Sequence, residues 1–323
     1  MSPPRFPSFD ELPLDTSGPP GNAWGLWGPD DELGRLNLLT PDVVAAAASE
    51  IQEGVRISLD WPLNKPSFPT FGRQPFHHEI LNKAPMTMND DAISINTQSS
   101  TQWDGFRHYG YQRAKQFYQG HTQDEFSNDS GPIGIDTFSN SGGIIGRGVL
   151  VDWYGWAQKH EISRSAFETG AIHLSEIKAI VEENSIQLRH GDILFIRTGF
   201  TAQYNALSPA EQANLPNRQP GGLLGFEATR DSMRWLWENR FAAVASDAMG
   251  FERGPATGPY NDPDLSVHQW ALAGWGMPIG EMFDLETLAE KCAARGRWSF
   301  FLCSVPLKIP GGVASPGNAV AIL

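Results

Sequence analysis

The segment HGDILFIRTGF, residues 190–200, decides the fold class because its apolar run is unbroken yet too short for a helix. A run of this kind is typical of a strand that is buried on both faces, as in a parallel sheet. Helical patterns flank it at residues 175–184 and 227–239, and a second buried strand is predicted at 241–246. This alternation of strands and helices predicts an α/β fold with a mixed sheet.

The rest of the chain supplies further elements but no clear boundary between domains. Thr40 and Pro41 are good first residues for a helix that Gly54 ends, and a second helix is predicted from Asp284 to Ala294. Further strands are predicted at 55–61, 76–81, 148–153, 298–305 and 319–323. No repeat or linker divides the chain. We therefore predict a single domain over residues 1–323, with an extended Pro/Gly-rich N-terminal arm at about residues 1–39.

The composition of the chain limits the classes of partner that it is expected to bind. The 323 residues carry a net charge of −13 with no stripe of Lys or Arg, which argues against nucleic acid and anionic membrane surfaces. No segment approaches the ~18 apolar residues of a membrane span. The N-terminus has no basic region followed by an apolar run, and only two cysteines are present, so we expect a cytoplasmic protein. The expected partner is a small-molecule substrate.

The stretch DAISINTQSSTQWDGFRHYGY, residues 91–111, is the best candidate for a functional site. It begins with the period-two alternation of a strand and then interleaves polar and titratable side chains with large aromatic ones. Such convergence at a strand end is typical of a pocket wall. The predicted substrate-binding residues are Trp103, Phe106, Arg107, Tyr109 and Tyr111. The alternative is a structural turn in which Asp104 pairs with Arg107.

Well-known catalytic motifs are absent. The chain has no GxSxG, no phosphate-binding glycine loop and no HExxH. What remains is a set of acid–base or metal-ligating residues near predicted strand ends: Asp104, His108, Asp247, His268 and Glu281. Each of these, taken singly, is more often a satisfied structural group than a functional one.

Four segments carry a family resemblance. STQWDGFRH, residues 100–108, resembles the motif HxGTHxDxPxH of the cyclase family, which includes bacterial kynurenine formamidase and isatin hydrolase. IRTGF at 196–200, SDAMGFE at 246–252 and VHQWALAGWGMPIGEMFDLETL at 267–288 are similar to later segments of that family. The resemblance implies a swivelling β/β/α-type fold, a homodimer or homotetramer, and hydrolysis of cyclic or formyl amides with Zn²⁺ or Mn²⁺.

This chain departs from the motif at the metal ligands. Gln98 and Gln102 stand where the family has two metal-binding histidines, and Phe106 stands at the motif proline. An amide oxygen is a poorer ligand for zinc than imidazole but suits harder ions. The resemblance therefore implies one ion, manganese or zinc, held by Asp104, His268 and Glu281 with the amides of Gln98 and Gln102. It implies that His108 is the general base.

Three functions are compatible with these residues. The first is a hydrolase that opens or closes a cyclic amide or lactone, or cleaves a formamide-type bond, with one metal ion, His108, Asp104 and Glu281. The second is a metal-independent cyclase or lyase, of the dehydratase type, that uses the same Asp/His/Glu pocket. The third is a catalytically inactive protein that binds a small molecule.

Overall fold

A computed structural model describes residues 5–126, 130–218, 221–255 and 265–323. The strands in these ranges are β1 (Arg56–Ser58), β2 (His77–Asn82), β3 (Asn89–Ser94), β4 (Gln102–Asp104), β5 (Ile144–Asp152), β6 (Gly170–Ile172), β7 (Ile193–Arg197), β8 (Leu224–Phe226), β9 (Ala243–Ser246), β10 (Ile279–Glu281), β11 (Ser299–Ser304), β12 (Ala314–Pro316) and β13 (Ala319–Ile322). The helices are α1 (Pro41–Ala47), α2 (Asp136–Asn140), α3 (Trp153–Lys159), α4 (Leu174–Glu183), α5 (Phe200–Ala206), α6 (Pro209–Asn214), α7 (Arg230–Glu238) and α8 (Glu286–Arg295). A π-helix spans Gln269–Trp275.

A nine-stranded sheet organises the molecule. Its order is β1-β13-β11-β5-β7-β9-β10-β4-β12. The central strands β5, β7, β9 and β10 are parallel to one another, and antiparallel strands extend the sheet on both sides. Every residue of β7 is buried, as the apolar run at its centre predicts. The predicted α/β fold with a mixed sheet is confirmed.

The N-terminal arm packs against the segment around the π-helix. The indole Nε1 of Trp24 donates a hydrogen bond to the carbonyl of Ala273 at 2.7 Å. In the opposite direction, Nε1 of Trp275 donates to the carbonyl of Gly21 at 2.9 Å. Two buried indoles that each find a partner across this contact fix the arm against the π-helix.

The hairpin of β2 and β3 differs from expectation. Alternation in residues 91–98 predicts a strand with one buried face, but β3 ends at Ser94 and all of its residues are exposed. Ile80 and Ile93 remain 66% and 55% exposed. The strand pattern is present, but within the described residues of this chain nothing covers its apolar side chains.

The lengths of the helices can be compared with the thickness of a membrane. Among the described residues, no helix is both long enough and apolar enough to cross a bilayer.

Candidate active site

The candidate site begins on β4, where side chains alternate between the two faces of the sheet. Gln102 and Asp104 share one face, and Trp103 points to the other. Strand β10 runs antiparallel to β4 and places Glu281 directly opposite Gln102. Gly280 lies opposite Trp103, and a Cβ there would come within 3.0 Å of the indole. A glycine at this position therefore leaves room for Trp103 behind the site.

Asp104 is the centre of the site and is completely buried. Its Oδ1 accepts hydrogen bonds from the side-chain amides of Gln98 and Gln102, at 2.5 and 3.2 Å. Its Oδ2 is buried with no hydrogen-bond partner among the described residues. That oxygen lies 3.9 Å from Nε2 of His108 and 3.9 Å from Nε2 of His268. An unpaired buried carboxylate oxygen is costly, so its position between two imidazoles needs an explanation.

His268 is held from both sides at the residue before the π-helix. Its Nδ1 lies 2.8 Å from Oε1 of Glu252, and its Nε2 lies 3.1 Å from Oε1 of Glu281. Glu252 also accepts hydrogen bonds from the backbone N–H groups of Val267 and His268, so it fixes the main chain as well as the ring. Although burial opposes the charged form, the hydrogen bonds to Glu252 and Glu281 raise the pKa of His268 well above its usual value.

His108 and Glu281 approach Asp104 from the turn after β4 and from β10. Burial lowers the pKa of His108, and the charge of Asp104 opposes this effect while those of His268 and Arg73 add to it. Burial and the neighbouring charge of Asp104 raise the pKa of Glu281 to about 7. The site therefore pairs a neutral imidazole with a carboxyl group that can gain or lose a proton near neutral pH.

Gln98 and Gln102 hold carboxylates with their NH₂ groups. Nε2 of Gln102 donates to Oε2 of Glu281 at 2.9 Å and also to Oε1 of Gln98. Oε1 of Gln102 is buried with no partner among the described residues. Because a carboxylate needs a donor, these contacts fix the nitrogen side of each amide toward Asp104 and Glu281. The oxygen of Gln98, which the sequence offers as a metal ligand, is used by Gln102 instead.

A cavity of about 610 Å³ opens onto these groups. His108, His268, Glu252 and Glu281 line its polar end. Its other walls combine apolar side chains with two arginines, and include Phe71, Arg73, Tyr109, Leu215, Arg218, Leu223 and Met249. This volume accommodates a small organic molecule.

Three of the predicted wall aromatics lie outside the cavity. Trp103 is buried behind the sheet with Phe195 and Phe283, because alternation along β4 turns it away from Asp104. Phe106 packs in the core, and the hydroxyl of Tyr111 donates a hydrogen bond to a carbonyl of the N-terminal arm. Of the four predicted aromatics, Tyr109 lines the cavity.

Arg107 and Asp247 also have structural surroundings. The guanidinium of Arg107 donates to the carbonyls of Pro132 and Gly311, so the structure pairs it with backbone rather than with Asp104. Asp247 accepts hydrogen bonds from the backbone N–H groups of Thr198 and Gly199 at the start of α5. Both residues hold loops in place. Their positions in the sequence do not indicate this structural role.

The donor set fits a metal ion. The ligand atoms of Asp104, His108 and His268 all lie within 4.8 Å of one another. One carboxylate and two imidazoles is a set that zinc and other divalent transition metals accept. Ligands that share an ion at about 2.0–2.2 Å lie roughly 3 to 3.6 Å apart, close to the 3.9 Å found here. An ion at this position would also give Oδ2 of Asp104 a partner, which no described residue provides.

Sequence reasoning missed two residues of the site. Glu252 ends the segment SDAMGFE, which carries part of the family resemblance, so a buried glutamate there was a usable signal. Arg73 comes from the long loop between β1 and β2, and nothing in its neighbourhood indicates that it returns to the cavity. Loops place side chains through tertiary contacts that local sequence does not encode.

Comparisons with known proteins place the chain in one family. The Cyclase family model, described as "Putative cyclase", matches residues 43–253. A crystal structure described as a novel cyclase is 33% identical, with a TM-score of 0.81, and the match covers 94% of this chain and 99% of that one.

More distant structures share the fold. Isatin hydrolase A from Ralstonia solanacearum is 18% identical, with a TM-score of 0.60 and coverage of 87% and 97%. Isatin hydrolase A from Labrenzia aggregata, bound to benzyl benzoate, is 17% identical, with a TM-score of 0.59 and coverage of 88% and 98%. No curated protein matches. The family match and the 33% identical structure confirm the resemblance, and the chain belongs to the Cyclase family.

Proposed function

We propose that this protein is a metal-dependent hydrolase that cleaves a cyclic amide, a lactone or a formamide-type bond in a small molecule. We assign the ion to Asp104, His108 and His268. This assignment moves His108 from the general base that the sequence suggests to a ligand, and it leaves Glu281 beside the ion.

One observation carries the proposal: Oδ2 of Asp104 is buried, has no hydrogen-bond partner in the part of the chain that the structure describes, and lies equally far from two imidazole nitrogens. The arrangement around it is built for rigidity, since Gln98 and Gln102 hold Oδ1 while Glu252 holds His268. Residues that orient the ligands of a metal are typically as necessary as the ligands themselves.

The chemistry divides between the ion and the chain. A divalent ion held there would polarise a substrate carbonyl and make water more acidic. Glu281, whose pKa is raised to about 7 by burial and by Asp104, is placed to accept the proton of an attacking water and to return it to the leaving group. Its Oε2 is held by Gln102, which keeps the carboxyl group aimed at the cavity.

A second candidate function is a metal-independent cyclase or lyase. The observation that favours it is the pairing of a neutral His108 with a Glu281 that titrates near neutral pH. Those two groups alone are able to remove and deliver protons without hydrolysis.

Elemental analysis of protein purified without any chelator distinguishes the two functions. The hydrolase proposal expects close to one divalent metal per chain, lost on chelation and restored with activity on a panel of formamides, cyclic amides and lactones. Full activity in metal-free protein contradicts it and favours the lyase. A matched variant, Arg56→Gln, changes charge on an edge strand outside the cavity and should leave metal content and activity unchanged.

A further inference from the structure

The cavity that serves the proposed hydrolase also has a positively charged wall. Arg73 and Arg218 both line it, and both are half-buried. Among the described residues, neither guanidinium lies within ion-pair distance of a carboxylate. Arg218 donates to the carbonyls of Leu215 and Gly222, at 3.3 and 3.2 Å. The charge of Glu168 acts on Arg218, and the charge of Arg73 acts on Glu281, but only at longer range than a direct ion pair. Two guanidinium groups on one cavity wall, without a direct ion pair among the described residues, favour the binding of an anion there.

Arg73 is the better placed of the two for direct contact with a substrate. Its Nη1 donates to the backbone carbonyl of Gln98, whose side chain in turn holds Asp104. The rest of the guanidinium has donors to offer, because an arginine carries five N–H groups in a fixed fork. Arg73 therefore contacts the turn before β4 and also presents its charge to the cavity.

The backbone before Arg73 is shaped to project it. Arg73 N–H bonds to the carbonyl of Thr70 at 3.2 Å, and the two residues between them, Phe71 and Gly72, have φ values of 59° and 67°. Two positive φ angles define the geometry of a type I′ turn, in which a phenylalanine is uncommon. The turn is tied to the cavity wall, since the hydroxyl of Thr70 contacts Sδ of Met249 at 3.6 Å.

Phe71 completes the arrangement. Its ring is 68% exposed, lines the cavity and lies 5.0 Å from the guanidinium carbon of Arg73. A cation stacked on an exposed aromatic face is held in orientation and presents its edge to a ligand. The exposed ring also offers an apolar surface beside that edge.

We propose that Arg73 binds a carboxylate of the substrate, so that the substrate class is a small, partly apolar amide or lactone that also carries a carboxylate. Arg218 supplies the second positive charge, farther along the same wall. The reaction type in this inference rests on the proposed function. The binding of a carboxylate does not, because binding can be measured without turnover.

Benzoate and its neutral isostere benzamide are the probes. Calorimetric titration should show that Arg73→Gln weakens benzoate binding by about 10- to 100-fold and leaves benzamide binding unchanged, because a charge-assisted bidentate contact is lost. Arg218→Gln should weaken benzoate binding less. Arg56→Gln, the same change on β1, should affect neither probe.

Folding and metal content are checked on the same samples by thermal melting and elemental analysis. Benzoate also has affinity for metal ions, but an Arg73→Gln protein with unchanged metal content holds that contribution constant. Unchanged benzoate affinity in a folded Arg73→Gln protein, or an equal loss of benzamide binding, overturns the inference. Loss of benzoate affinity in a protein that proves metal-free and hydrolyses nothing would support this subsite while contradicting the proposed function.

Discussion

Two of the clusters of buried charge among the described residues differ in whether their polar atoms are satisfied. On β5, Arg147 donates to Glu50 at 2.8 Å and to Asp192 at 2.7 Å. Ser299 donates to the other oxygen of Glu50, and the backbone N–H of Arg189 donates to the same oxygen of Asp192 that Arg147 contacts. At the candidate site, by contrast, Oδ2 of Asp104 has no partner among the described residues.

This difference in hydrogen bonding distinguishes a structural charge cluster from a candidate functional site. Buried charges that are fully paired with one another hold the fold together but leave no group free to bind a ligand. A buried charge left incomplete costs free energy unless something outside the chain completes it. The comparison therefore makes opposite predictions for the two clusters: disruption of the first should cost stability, and disruption of the second should cost function.

The largest effect is expected for Asp104→Asn. The amide keeps an acceptor for Gln98 and Gln102 but removes the charge that we assign to the ion. Metal occupancy should be lost, and kcat should fall by more than about 10⁴-fold, roughly 5 kcal/mol of transition-state stabilisation. Compared with the metal-free unaltered protein, the melting temperature should be unchanged or higher, because an unpaired buried charge disappears. Elemental analysis, kinetics and calorimetry on one sample test all three, and retained metal would contradict the assignment.

Arg147→Met tests the other cluster. It leaves Glu50 and Asp192 buried without their common cation, so the free energy of unfolding should fall by about 3–5 kcal/mol. Urea titration measures the loss. Metal content and kcat of the folded fraction should match those of the unaltered protein. A loss below about 1 kcal/mol would mean that this cluster is not the self-sufficient unit described here.

His108→Asn and Glu281→Gln form a matched pair that assigns the roles beside Asp104. Each should lower kcat by about 10²- to 10⁴-fold, as expected when a ligand or a proton-transfer group is removed. Metal content distinguishes them: His108→Asn should lose the ion, and Glu281→Gln should keep it. If His108→Asn retains one ion per chain, the imidazole acts as general base, as the sequence motif suggests.

The sequence predicted the central strands well because their signal is local. The apolar run that becomes β7 needs no tertiary information, and Thr40 and Pro41 begin a helix that the structure has as α1. Asp104 lies on β4, which pairs with β10, and His268 reaches the same place through its contact with Glu281 of β10. The short helices α5 and α6 escaped notice because caps and loop packing, rather than long periodicity, define them.

Side-chain direction was harder to predict than position. Trp103 is next to Asp104 in sequence, yet it points to the far side of the sheet. The cause is side-chain alternation along β4, a three-residue strand that is too short to recognise in the sequence. Arg107 looks like a partner for Asp104, but backbone carbonyls capture it. Arg73, which does line the cavity, lies 31 residues before Asp104 on a loop with no motif.

The smallest expected effect concerns Gln102, the residue that replaces a family histidine. Its NH₂ group donates to Asp104 and Glu281 at once, so it orients both carboxyl groups. Gln102→Leu keeps the approximate volume and removes the amide. We expect metal affinity to fall by about 10- to 100-fold, the usual cost of losing a group that positions a ligand.

Two controls sharpen this last test. Gln203→Leu removes an amide that bonds to the backbone of Ala166 and Arg164, outside the cavity, and should leave metal affinity unchanged. Gln102→His restores the imidazole of the family motif and, with a further nitrogen ligand, should bind zinc at least as tightly as the unaltered protein. If Gln102→Leu folds and binds metal normally, the amide does not position Asp104. The unsatisfied atoms of the site would then need another explanation.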